Sequence, residues 1–154
     1  MIYIFLDIDG VFVKEGEIFD NTQTMFDQKC LMIFESILRQ YGGQYQIVIA
    51  SSWREVFSLE VIQANFSIDI ADEIVGMTPF LSSYIDVEYA RYKEVLQYLE
   101  EEGLQDVFWI AIDDIEEHYP PEVQSQVIHT DCYEGFGFAE AYQLQVFLEK
   151  FSLL

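Results

Sequence analysis

The feature that most constrains the fold is a series of short apolar runs, each followed by polar or turn-forming residues and separated from the next by helical periodicity. Ile2–Leu6 is the first run, and residues 47–50, 74–75, 107–112 and 126–129 give the others. A strand that is buried on both faces is apolar along its length, whereas a strand with one face in water alternates between apolar and polar residues. These runs therefore predict a parallel sheet with both faces covered.

Helical periodicity fills the intervals between these runs. Apolar residues recur at helical spacing in 30–41, 53–62, 89–102 and 139–151. Strands that alternate with helices are typical of α/β folds with crossover connections. We therefore expect one α/β domain over 1–154, a three-layer, Rossmann-like parallel sheet with helices on both faces.

Polar side chains gather where three of the predicted strands end. The carboxyl ends of parallel strands share one edge of a sheet, and ligands bind outside that edge. The residues concerned are Asp7 and Asp9, Ser51 and Ser52, and Asp113 and Asp114. Their position predicts a functional site at this edge.

The first of these groups is Asp7-Ile8-Asp9-Gly10. Directly after a buried strand the backbone can curl and turn both carboxylates towards one site, and Gly10 supplies the conformational freedom for this. The alternative interpretation is a solvated loop with a helix cap, and such a string also suits a calcium loop. Residues 11–19, which follow, predict a small hairpin that turns near residues 15 and 16.

Asp113 and Asp114 follow the apolar run at 107–112. Adjacent acids there need solvent, a cation or hydrogen bonds. Two unit charges about 4 Å apart repel by about 4 kcal/mol at an effective dielectric of 20. Mg²⁺ would convert the repulsion among the four carboxylates into coordination, because it prefers hard oxygen ligands. We therefore predict a metal site at Asp7, Asp9, Asp113 and Asp114.

Ser51 and Ser52 have two open interpretations. Ser51 could hold a phosphoryl oxygen, or a serine here could cap the helix that begins near Trp53. Both functions are compatible if Ser51 contacts the ligand and Ser52 caps.

Charge limits the partners of the chain. Asp and Glu number 28 and Lys and Arg only 7, for a net charge of -21, which disfavours a duplex nucleic acid. Four of the seven cations lie near the motifs: Lys14, Arg54, Arg91 and Lys93. We expect Arg54 and Lys93, with Gly10 and Ser52, to contact a phosphorylated substrate.

Arg91 and Lys93 open the helix predicted over 89–102. A cation there opposes the helix dipole, so it needs another reason, such as a nearby phosphate. The alternative is ordinary surface charge. His118 and His129 have no metal-ligand spacing, and we interpret both as structural or surface residues.

The chain is expected to lie in the cytoplasm. Cys30 and Cys132 are isolated thiols, which suggests a reducing compartment. The first apolar run is too short and reaches Asp7 too soon for a signal peptide, and no stretch approaches the ~20 apolar residues of a membrane span.

The order of these motifs resembles the four motifs of the haloacid dehalogenase (HAD) superfamily. They are an apolar strand ending in Asp7-Ile8-Asp9-Gly10, a strand ending in Ser51, a cation opening a helix, and a strand ending in Asp113-Asp114. Within that superfamily, the segments FLDIDGV, IASSWR, GMTP and WIAIDD are most similar to the HAD domain of Swiss-army-knife RNA repair proteins.

The resemblance implies a Mg²⁺-dependent phosphohydrolase. Asp7 would be the nucleophile that forms an aspartyl-phosphate, and Asp9 would be the acid and base. Ser51 would hold a phosphoryl oxygen, and Arg91 would stabilise the transferring group, with Lys93 as the substitute. Mg²⁺ would bind Asp7, the Asp9 carbonyl and Asp113 or Asp114. The family often has lysine where Arg91 stands, which changes the geometry at that position.

HAD enzymes often carry a cap domain over the site, and this sequence predicts none. The segments from Asp9 to Ser51 and from Ser52 to Arg91 are filled by the predicted core elements. The resemblance then implies an open site, which suits a protruding phosphate on a larger molecule or a partner that supplies the lid. We expect the substrate to be a phosphorylated small molecule, a nucleotide terminus or a phosphoprotein.

Two alternatives to an enzyme stay open. A receiver-type domain also clusters carboxylates on a parallel sheet, but its acidic pair belongs to the first strand. A catalytically silent HAD-like domain that binds phosphate or a partner is the second alternative.

Overall fold

The computed structural model describes residues 1–16, 25–81 and 87–151. Within these residues five strands form one sheet in the order β3-β2-β1-β4-β5, and every neighbouring pair is parallel. The predicted parallel sheet is confirmed. The strands are β1 Ile2–Leu6, β2 Tyr45–Ile49, β3 Ile74–Met77, β4 Phe108–Asp113 and β5 Val127–His129.

Helices cover both faces of this sheet, as predicted. Four of them contribute to the larger apolar core on one face: α1 Gln28–Arg39, α2 Leu59–Gln63, α3 Ile68–Ala71 and α5 Phe138–Phe151. On the opposite face α4, Ala90–Glu101, packs on a second apolar cluster. Short 3-10 helices occupy Ser52–Glu55, Glu116–His118 and Pro121–Gln126.

Strand β1 shows how the sequence builds two cores. Ile4 and Leu6 belong to the larger cluster, while Phe5 between them belongs to the cluster that α4 covers with Val95 and Leu99. Successive side chains of a strand point to opposite faces, so an unbroken apolar run serves both. The sheet is thereby held rigidly from both sides, and its carboxyl edge is fixed in place.

Two predicted helices differ from the observed ones. Helix α1 begins two residues before the predicted start at residue 30, because the Asp27 side chain accepts a hydrogen bond from the Cys30 N–H at 2.9 Å. The helix predicted over 53–62 is broken. The Ser58 hydroxyl caps the Val61 N–H at 3.3 Å, which starts α2 as a separate helix.

The hairpin predicted over 11–19 lies partly outside the described residues. Residues 11–16 form a turn in which the Val13 carbonyl accepts from the Gly10 N–H at 2.8 Å. The strand-like pairing in this described part is an isolated bridge between Asp9 and Val13. The described part of the predicted hairpin is therefore a turn rather than a pair of strands.

Among the described residues no separate cap domain is evident. The segment between Asp9 and Ser51 contributes α1 and β2, and the segment between Ser52 and Arg91 contributes α2, α3 and β3. None of the described helices is both long and apolar enough to cross a membrane.

Candidate active site

Backbone pairing brings Asp7 and Asp113 together. Leu6 pairs with Ile112 in the β1–β4 register, and Asp7 then donates its N–H to the Ile112 carbonyl at 3.0 Å. Asp113 is the last residue of β4. The two central strands therefore end side by side, and the carboxylates that follow the same register share one site.

Asp7, Asp113 and Asp114 form an acidic triad, in which each offers a carboxylate oxygen within 4.8 Å of the others. Asp7 and Asp113 are buried, with only 5% and 1% of their surface accessible to solvent. Burial and then the charge of Asp113 raise the pKa of Asp7 well above its ordinary value, and Arg91 offsets part of this rise. Burial and Asp113 also raise the pKa of Asp114.

The acidic triad fits a hard divalent cation such as Mg²⁺. The donors are oxygens, and two of the three carboxylates are buried. Burial and then repulsion from Asp113 raise the pKa values of Asp7 and Asp114, and a bound cation would oppose both effects. The carboxylate of Asp9 is outside the triad. A metal contact of Asp9 through its main-chain carbonyl stays a prediction.

The Asp9 side chain is exposed and held in one orientation. The Trp53 indole N–H donates to Asp9 Oδ1 at 3.0 Å. Trp53 is itself buried and packs against Phe26 and Phe57, with ring centroids 5.5 and 5.0 Å away. One carboxylate oxygen of Asp9 is thus fixed by the core, while the group stays accessible from solvent.

Gly10 is required by the shape of the turn. Its φ is +78°, and an added Cβ would lie 2.2 Å from Asp114 Oδ2, so only glycine allows this close approach. Its N–H donates to the Val13 carbonyl at 2.8 Å, and its carbonyl accepts from Thr130 Oγ1 at 2.7 Å. Both backbone polar groups of Gly10 are thus engaged within the protein, and the expected contact of Gly10 with substrate stays a prediction.

Ser51 caps the short helix that follows β2. Its hydroxyl accepts from the Trp53 N–H at 3.2 Å, and the 3-10 helix begins at Ser52. The alternative in which Ser52 caps the helix is therefore wrong, because the helix starts one residue earlier than expected and Ser52 is exposed within it. A hydroxyl that accepts a hydrogen bond can still donate its own proton, so Ser51 can both cap and bind a phosphoryl oxygen.

The three predicted cations lie in different surroundings. Arg91, in the first turn of α4, places its Nε 3.9 Å from Asp113 Oδ2. Lys93 is exposed and borders a shallow depression with Leu96. The Arg54 side chain is only 4% exposed and pairs with a protein carboxylate, and its expected substrate contact stays a prediction. The structure thus brings Arg91 to the acidic triad, and neither Arg54 nor Lys93.

Sequence reasoning missed two residues beside this site. His118 lies with its Nδ1 2.9 Å from Asp113 Oδ2, because the chain after β4 folds back in a 3-10 turn. Glu94 is buried on α4 and contacts both Arg54 and Arg91. Glu94 could have been found from the sequence, because it is a charged residue on the apolar face of an amphipathic helix. No spacing rule indicated His118.

Comparison with known proteins agrees with this geometry. Residues 3–141 match the model of the family described as the HAD domain in Swiss Army Knife RNA repair proteins. No significant match was found among curated proteins or among solved structures. The matched region contains β2 to β5, all of β1 except Ile2, and the whole acidic triad. The chain therefore belongs to the family of HAD domains found in Swiss Army Knife RNA repair proteins.

Proposed function

We propose that this chain is a Mg²⁺-dependent phosphohydrolase that acts on a phosphomonoester through an aspartyl-phosphate at Asp7. The observation that carries the proposal is the acidic triad, with a buried Asp7 at the carboxyl end of β1 and Arg91 beside it, in a chain of the HAD family. Buried carboxylates with raised pKa values beside a cation are typical of catalytic sites.

In the first step a carboxylate oxygen of Asp7 attacks phosphorus, and the bond to the leaving oxygen breaks. The Ile8 N–H holds Asp7 Oδ1 at 2.8 Å, which fixes the orientation of the nucleophile. Asp9 gives a proton to the leaving oxygen. In the second step Asp9 takes a proton from water, the water oxygen bonds to phosphorus, and the aspartyl-phosphate bond breaks, which releases phosphate and restores Asp7.

Arg91 and Ser51 would contact the transferring group. The Arg91 guanidinium supplies positive charge next to the acidic triad, and the Ser51 hydroxyl supplies a hydrogen-bond donor. Mg²⁺, when bound by Asp7, the Asp9 carbonyl and Asp113 or Asp114, would supply positive charge that offsets the negative charge on the phosphoryl oxygens.

Arg91→Ala is expected to lower kcat by about 10²–10³-fold, the usual loss when one transition-state donor is removed. Lys93→Ala is expected to stay near the wild-type rate, since residues two apart on a helix point about 200° apart and Lys93 is exposed. Steady-state kinetics on an aryl phosphate measure both variants. The opposite ranking would transfer the role to Lys93.

The substrate is expected to be a terminal phosphate, a nucleotide, or a small or protein-borne phosphoester. The family suggests RNA ends, but few cations are placed to neutralise a backbone. Arg54 is buried in an ion pair, and Lys14 lies 3.2 Å from Asp27. Binding to long RNA or DNA should therefore be weak.

Filter binding and phosphate release across a salt series test this expectation. A 3′-phosphorylated oligonucleotide is compared with mononucleotides and phosphopeptides, and the same oligonucleotide without its phosphate is the control. On a single strand each neutralised phosphate contributes a slope of about -0.7 in log affinity against log salt. Tight binding with a steep slope would contradict the charge argument. Binding without turnover of any substrate would favour a silent module.

A further inference from the structure

A buried ion pair lies next to the acidic triad, between the segment after β2 and helix α4. The side chains of Arg54 and Glu94 are 4% and 3% exposed, and an Arg54 guanidinium nitrogen donates to Glu94 Oε2. The Leu81 N–H donates to the same oxygen at 2.9 Å. Two donors from separate segments thus fix the Glu94 carboxylate in one place.

The other oxygen of Glu94 faces Arg91. Glu94 Oε1 lies 3.7 Å from Arg91 Nη1, and Arg91 Nε lies 3.9 Å from Asp113 Oδ2 on the far side. The Arg91 side chain is 12% exposed, and its Nε is buried with no hydrogen-bond partner among the described residues. Arg91 therefore lies between two carboxylates, and its Nε–H is a donor that no residue in the described ranges accepts from.

Glu94 also separates two positive charges. Burial lowers the pKa of Arg54, Glu94 raises it, and Arg91 lowers it further. Without the Glu94 carboxylate the two guanidinium groups would repel each other, and Arg91 would lose the anion on its α4 side. Buried ion pairs seldom stabilise a fold more than apolar residues of similar volume would, so stability alone does not explain a charge here.

We infer that Glu94 is a positioning residue, which holds the Arg91 guanidinium over the acidic triad while Arg54 and the Leu81 N–H hold Glu94. The inference rests on the proposed function for its catalytic consequence. The placement of Arg91 is inferred from its contacts with Glu94 and Asp113 and does not depend on the proposed function.

The test is Glu94→Gln, which keeps the shape of the side chain and removes its charge. The matched control is Glu100→Gln, the same change at an exposed position of α4. We expect Glu94→Gln to lower kcat by about 10–100-fold with little change in KM, since a displacement of about 1 Å can cost 10²-fold in rate. A crystal structure of the variant should show the guanidinium displaced from Asp113. Glu100→Gln should match the wild type in both measurements.

A double-mutant cycle separates positioning from a general structural role. In an Arg91→Ala background, Glu94→Gln should have no further effect on kcat, whereas a structural role would lower kcat by the same factor in both backgrounds. If Glu94→Gln does not fold, Arg54→Met with Glu94→Met removes the whole pair at similar volume and takes its place in both experiments.

An undisplaced Arg91 in the variant crystal, or an additive effect in the cycle, would overturn the inference. If the wild type has no phosphatase activity, the proposed function fails by that result alone. The crystal structures then still decide whether Glu94 positions Arg91.

Discussion

Asp7→Asn is expected to abolish turnover and, at neutral pH, to raise the melting temperature of the metal-free protein. The amide cannot attack phosphorus, yet its oxygen can still accept the Ile8 N–H bond that Asp7 Oδ1 accepts. Burial and the charge of Asp113 make a negative charge on Asp7 unfavourable in the fold, and the pKa of Asp7 is therefore well above its ordinary value. For a chain of this size each kcal/mol of relief raises Tm by about 2–4 °C.

The sign of the pH dependence follows from that raised pKa. The folded state holds the Asp7 proton to higher pH than the unfolded state. This group therefore lowers stability as pH rises from the ordinary aspartate pKa of 3.8 through the higher pKa of the folded state. The gain in Tm from Asp7→Asn should therefore be small in acid and largest at neutral pH.

Thermal melts from acid to neutral pH, paired with turnover of an aryl phosphate, measure both effects. Asp106→Asn is the control, since Asp106 is exposed just before β4 at the opposite end of the strand. Retained turnover in the Asp7 variant would require another nucleophile. A melting temperature below that of the wild type at neutral pH would contradict the electrostatic account of the triad.

Removal of Mg²⁺ is the second change with a large expected effect. We expect EDTA to abolish turnover, and saturating Mg²⁺ to stabilise the fold by about 2.7 kcal/mol when its concentration is 100 times Kd. The stabilisation should grow from acid to neutral pH. Metal ligands must be deprotonated, and the raised pKa values of Asp7 and Asp114 keep protons on the triad in acid.

Potassium chloride at matched ionic strength is the control for Mg²⁺, since it screens the triad without coordinating it. An equal rise in Tm with potassium chloride would show that screening rather than coordination stabilises the protein. Full turnover in EDTA would contradict the mechanism.

The sequence was sufficient to predict the fold and the meeting of Asp7 with Asp113 and Asp114, but the carboxylate of Asp9, which we also expected there, lies outside the acidic triad. Ile2–Leu6 and the run before Asp113 are apolar on both faces, which predicted buried strands, and parallel strands place Asp7 and Asp113 at one edge. The strand register then places Asp7 beside Asp113, because Leu6 pairs with Ile112. These features depend on local pattern and on general rules of sheets.

The supporting contacts could not be predicted, because they join side chains from distant segments. Trp53 donates to Asp9 across 44 positions, and Arg54 pairs with Glu94 across 40. The N-cap lies at Ser51 rather than Ser52 for a different reason. It is a shift of one residue at a helix start, where local propensity leaves the boundary undetermined.

The most direct test of the central claim is whether phosphate becomes attached to Asp7. A nitrophenyl phosphate is an aryl phosphate whose leaving group departs readily without a proton. With it, Asp9→Asn should still form the aspartyl-phosphate while its hydrolysis, which needs the base, is slowed. Acid quench followed by peptide mass spectrometry should find one added phosphoryl group on Asp7 in Asp9→Asn, and none in Asp7→Asn with Asp9→Asn. A phosphoryl group on another residue, or turnover of the aryl phosphate by Asp9→Asn with no modified Asp7 at any quench time, would contradict the account.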